Sequence, residues 1–97
     1  MVYKTIVSPT ASENLNQAIK YYVENADKTV ALNFLKDYKH TIQVLKKSQY
    51  FQIRYKNHRA LSFKKFPYIA FFIIDEPTKT VFINAIFHTS QNPLKYP

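Results

Sequence analysis

The sequence predicts an α+β domain with element order β-α-α-β-β-β, a twisted antiparallel sheet carrying an antiparallel two-helix hairpin on one face. Three observations lead there. Apolar residues recur at steps of three and four through the first half of the chain, whereas after residue 49 they recur at steps of two. The connections between the later segments are short, which favours antiparallel pairing in sequence order. One segment, "YIAFFII", is apolar in both phases, as a central strand covered on both faces must be.

Val2 to Val7 reads as the first strand, rich in β-formers. A helix start follows in "SPTASENL": Ser8 is placed to cap, Pro9 suits the first helical position, and Glu13 lies toward the positive end of the helix. Ala11, Leu15, Ala18, Ile19 and Tyr22 then form one apolar stripe of a helix that runs to about Asn25. Asp27 is a cap for a second helix, whose apolar face is Ala31, Phe34, Leu35, Tyr38, Ile42 and Leu45. Lys46 and Lys47 sit at its negative end. "YFQIRY", "HRALSFKKF", "YIAFFII" and "TVFINAIFH" follow as strands, separated by "KN", "P" and "DEPTK". With no glycine available, Asn57 is the expected left-handed turn residue, and Pro77 and Lys79 flank the last hairpin.

At 97 residues the chain is expected to be a single domain spanning 1–97, and 46% hydrophobic content supplies enough material for a core. The absence of cysteine removes disulfides, thiolate metal sites and a thiol nucleophile. The absence of glycine argues against a P-loop, a dinucleotide fingerprint and a serine nucleophile elbow, which all need it for tight turns or close approach to a ligand. His40, His58 and His88 lack metal-ligand spacing, so neither a metal nor another cofactor is expected. The opening "MVYKTIVSPT" has no signal-peptide pattern and no run is long enough to span a membrane, so a cytoplasmic protein is expected.

Formal net charge is +8 and the sequence pI about 9.7. From Tyr38 to Ile74 there is no acidic residue, while Lys39, Lys46, Lys47, Arg54, Lys56, Arg59, Lys64 and Lys65 fall inside that segment. Such a segment favours nucleic acid or an acidic protein partner; a solvated basic face that aids solubility is the alternative.

The order "SPTASENL", "AIKYYVEN", "ALNFLKDYKHTIQVLKKS", "HRALSFKKFPYIAFFIID" and "VFINAIFHTSQNP" resembles the RelE/ParE superfamily of bacterial type II toxin–antitoxin toxins over almost the whole chain. The arginine of "HRALSF", the "FPY" with its hydrophobic strand and the "AIFHTSxNP" ending carry the resemblance together. It implies the fold already read from periodicity and a cognate antitoxin that lays an extended or helical segment over the toxin. Function divides within the superfamily. RelE-like members cut mRNA on the ribosome without metal, whereas ParE-like members block DNA gyrase and hydrolyse nothing.

The first expectation is ribosome-dependent, metal-independent mRNA cleavage, with gyrase inhibition as the alternative and a decayed toxin that only binds antitoxin as a third. The resemblance makes His88 the general acid for the leaving 5′ oxygen, with a simple strand-end histidine as the other reading. Metal-free cleavage also needs positive charge on the phosphorane, and Arg59 is the residue placed for it unless it serves as a structural ion-pair partner. Lys46, Lys47, Arg54, Lys56, Lys64 and Lys65 are expected to bind phosphates, and Tyr96 to stack on a base unless the terminus frays. Strict alternation puts His58 and Arg59 on opposite faces of their strand. Gln91 stands where similar sequences commonly carry arginine, and no glutamate lies in the basic segment to serve as a base, which leaves Lys56, a second histidine or water. The antitoxin is expected to present an acidic or amphipathic segment.

Overall fold

The computed structural model describes residues 3–49, 53–55 and 58–89, with the backbone path alone for 53–55. β1 (Lys4–Val7) leads through Ser8 into α1 (Pro9–Asn25), and α2 (Lys28–Lys47) returns antiparallel after a short link. β2 (Ile53–Tyr55), β3 (His58–Ser62), β4 (Tyr68–Asp75) and β5 (Thr80–His88) complete the chain. The sheet order is β1-β5-β4-β3-β2.

The four later strands pair antiparallel in sequence order, as short connections require. β1 departs from a purely antiparallel sheet. It lies parallel to β5, with Lys4 opposite Thr80 and Val7 opposite Ile83. The helical hairpin carries the chain from β1 at one edge of the sheet to β2 at the other, and the antiparallel strands then run back across the sheet until β5 lies beside β1.

Both helix starts follow the chemistry of their sequence. Ser8 has extended backbone and its hydroxyl accepts from the Ala11 amide at 3.0 Å, with Pro9 just inside the helix. Asp27 accepts from the Val30 amide at 2.9 Å. Glu13 falls beyond the first turn and instead accepts a hydrogen bond from Gln17. Lys46 and Lys47 occupy the last turn of α2, where positive charge is favourable.

The expected faces meet. Ala11, Ala18, Phe34 and Leu45 join Phe63, Tyr68, Ala70, Phe72, Val81, Ile83 and Ile86 in the main core, with Leu15, Ile19, Tyr22, Tyr38 and Ile42 packed against it. The opposite sheet face has a smaller cluster of Ala60, Phe71, Ala85 and Phe87. Phe71 and Phe72 are adjacent, point to opposite faces and are both buried, so β4 is covered on two sides.

One segment is shorter than its period suggested. β3 ends at Ser62, and 63–67 form a bent turn rather than more strand. The cause is Asp37, a buried carboxylate on α2 that sequence periodicity did not mark. One of its oxygens accepts the backbone N–H groups of Lys65 at 2.9 Å and Phe66 at 2.8 Å, donors that a continuing strand would have spent on a neighbour. The left-handed residue expected at Asn57 lies outside the described residues. Among those described, Lys79 is the non-glycine with positive φ, at 51°, in the β4–β5 turn. Its Nζ is 3.3 Å from Glu76, which also accepts the Tyr3 hydroxyl at 3.0 Å.

Removing the Asp37 carboxylate strands two buried-side donors at once. Asp37→Ala is expected to cost about 3 kcal/mol and Asp37→Asn about half of that, measured by urea unfolding. Equal stability of all three proteins would show that the turn is held by something else.

Candidate functional site

The region around His88 is set by one irregularity in β5. Phe72 is opposite Ile83 and Phe71 is opposite Ala85, so Asn84 is an extra residue in the ladder. Before this bulge, Val81 and Ile83 face the helices; after it, Ile86 takes that face and Ala85 and Phe87 take the other. α1 holds the bulge in place. The Ser8 amide donates to the Ile83 carbonyl at 2.9 Å, the Ser8 hydroxyl donates to the Asn84 carbonyl at 3.1 Å, and Asn14 Oδ1 accepts from the Ile86 amide at 3.1 Å. Downstream, the Thr89 amide donates to the Pro67 carbonyl at 2.8 Å and ties the end of β5 to the β3–β4 turn.

The result is a groove of about 400 Å³ between α1 and the end of β5, lined by Asn14, Gln17, Ala18, Tyr21, Tyr68, Ile86 and His88. The α1 residues recur at helical steps along one border of its apolar face. His88 is half-buried there, its ring edge-on to Tyr68 at 5.1 Å. Burial pushes the Tyr68 phenol up to about 12, with further contributions from the neighbouring Tyr22, to which it is hydrogen-bonded, and from Tyr21. At neutral pH Tyr68 is therefore a protonated phenol and no base.

The other expected site residues scatter. Arg59 shares the helix-side phase of Leu61 but pairs with Phe72, four residues along β4 from Tyr68, the partner of His88. At roughly 3.3 Å per residue this separates the two rows by about 13 Å along the strands. Arg59 and His88 also lie on strands flanking opposite sides of β4. The register therefore sets Arg59 and His88 in separate rows of the sheet. His58 is on the other face, its Nε2 3.1 Å from Asn84 Nδ2, as alternation required.

The single basic field read from the sequence is likewise divided. Lys46 lies beside the start of the chain, its carbonyl accepting the Tyr3 amide at 2.9 Å, and Lys47 follows it; Lys64 and Lys65 are in the turn at the far end of β4. Arg54 is in β2, where the backbone alone is described, and Lys56, Gln91 and Tyr96 lie outside the described residues. Among the described residues no group of three His, Asp or Glu side chains could hold a metal ion, and no helix is long and apolar enough to cross a membrane.

Among the described residues, the lining includes no lysine, arginine, aspartate or glutamate. The groove thus offers one imidazole, two phenols and two amides. That set can bury and hydrogen-bond a partner's surface.

In sequence, residues 5–93 match the model of the family described as ParE toxin of type II toxin-antitoxin system, parDE. No curated protein matches the chain. Among solved structures, the chromosomal ParDE system of P. aeruginosa superposes with a TM-score of 0.79 at 18% identity, covering 92% of this chain and 98% of that one. The E. coli RelBE toxin–antitoxin complex superposes with a TM-score of 0.58 at 12% identity, covering 92% and 99%. The isolated E. coli RelE toxin gives 0.58 at 10% identity, covering 95% and 89%.

The raised Tyr68 pKa has a stability consequence. Its neutral form is favoured by folding, so no stability is lost below the ordinary phenol value of 10.0, and stability falls as pH rises from there toward about 12. Phenolate absorbance should show one late-titrating tyrosine, and Tyr68→Phe should remove that phase and flatten the alkaline fall in stability. A Tyr68 that ionises near 10 would contradict the burial argument.

Proposed function

The chain belongs to the family of ParE toxins of type II toxin–antitoxin systems, and from that membership we propose that it arrests bacterial growth by binding and inhibiting DNA gyrase rather than by cutting mRNA. The observation that carries this reading is the placement of His88: among the described residues its groove has no cationic lining residue, and the register keeps Arg59 about 13 Å away along the strands. An endoribonuclease that works without metal must gather a proton donor and positive charge around one phosphate. Inhibition by binding has no such requirement.

The groove suits that role in composition. Tyrosines, amides and a histidine give contact area with adaptable hydrogen bonding, and aromatic residues are enriched where interfaces concentrate their energy. The family membership and the likeness to ParDE support the gyrase reading over mRNA cleavage, which the sequence alone put first. A protein antitoxin is the natural partner of a toxin in this family. An acidic or amphipathic segment on it would complement a chain of net charge +8.

The test is induced expression in bacterial cells with thymidine and amino-acid incorporation followed together over the first minutes. DNA synthesis should stop first, and His88→Ala and Arg59→Ala should both still arrest growth at equal soluble expression. Protein synthesis stopping first, with relief by His88→Ala, would return the ribonuclease reading.

A further inference from the structure

A second cavity, sharing no residue with the His88 groove, lies between α2 and the β3–β4 turn. It measures about 450 Å³ and is lined by Val30, Asn33, Lys36, Asp37, His40, Lys64, Lys65 and Phe66. We infer that this cleft is a binding site for a compact polyanion of the oligophosphate class, an inference that goes beyond the mode of toxicity and does not rest on it.

The cations are held on two walls of the cleft. Lys36 and His40 are one helical turn apart on α2, and Lys64 and Lys65 come from the turn that forms the other wall. The turn is fixed against the helix by the Asp37 carboxylate, which accepts the Lys65 and Phe66 amides. The two walls therefore keep their spacing without a ligand, and the ordering cost of binding is confined to the side-chain tips.

Asp37 is the one acidic residue in the lining, and it is 5% exposed. Against its single negative charge the lining sets three lysine side chains at exposed positions. The cleft is positive at neutral pH. His40 adds a donor in either protonation state.

The residue types select the ligand. Among the described residues the fixed cations lining the cleft are all lysines. Lysines act as point charges with rotatable donors, which suits phosphate oxygens approached from several directions. Convergence from two walls favours a short, highly charged chain over a single monoanion. Phe66, held edge-on between Tyr22 at 5.3 Å and Phe34 at 5.4 Å, gives one apolar wall against which a nucleobase could rest.

Calorimetric titration of the full-length protein at low ionic strength with sodium tripolyphosphate, and separately with ATP, tests this. One saturable site per chain is expected. Lys36→Gln and the pair Lys64→Gln with Lys65→Gln should each weaken binding by about tenfold, and the pair Lys46→Gln with Lys47→Gln should leave it unchanged. ATP binding more tightly than tripolyphosphate would identify a nucleotide site, and equal affinity a site for the phosphate chain alone; both uphold the proposal. No saturable binding, equal weakening in the Lys46/Lys47 pair, or a Glu-rich peptide that outcompetes tripolyphosphate would overturn it.

Discussion

The position of Asn84 governs the rest of the site. A strand without a bulge would keep Val81, Ile83, Ala85 and Phe87 on one face and send Ile86 and His88 to the other. The extra residue reverses that assignment from Ala85 onward, so Ile86 enters the helix-side core and His88 reaches the groove beside α1. Ser8 is the hinge of this arrangement. Its hydroxyl accepts from Ala11 to start α1 and donates to the Asn84 carbonyl to hold the bulge, while its amide extends the parallel ladder to Ile83. One serine thus couples the start of a helix to the phase of a distant strand, and Asn14 adds a second clamp two residues past the bulge.

Asp37 does for the opposite wall what Ser8 does here. A carboxylate on a buried helix face is costly unless its oxygens are satisfied, and the two amides of the 64–66 turn satisfy one of them. The chain must therefore leave the sheet after Ser62. That turn carries Lys64 and Lys65 to α2, away from Lys46 and Lys47 at the other end of the sheet. A segment without acidic residues in sequence thus becomes two separate basic regions in space, which changes what each can bind. The register of β3 on β4 similarly parts Arg59 from His88.

Much of the fold was legible because periodicity reports burial directly. The stripes Ala11 to Tyr22 and Phe34 to Leu45, the caps Ser8 and Asp27, and the doubly apolar β4 all rest on local rules that tertiary packing reinforces. The site was much less legible. The bulge has no glycine to announce it, and it breaks the alternation from which faces are assigned. Asn14 and Gln17 border the apolar stripe of α1 and have the character of helix surface, and Asp37 interrupts the apolar face of α2 between Phe34 and Tyr38, a local sign of a buried acid. The parallel placement of β1 depends on where a two-helix crossover lands, which no short-range pattern encodes.

The central claim is that this toxin works as a binding inhibitor, with His88 as part of a contact surface and no proton shuttle. The most direct measurement is a supercoiling assay with purified bacterial gyrase and relaxed plasmid, titrated with the purified toxin and run beside its His88→Ala variant. The account predicts that the toxin blocks supercoiling and that the variant still does so, any change appearing as a shift in the concentration required. A gyrase that remains fully active at saturating toxin, while the same preparation cleaves mRNA on ribosomes and the variant does not, would contradict it.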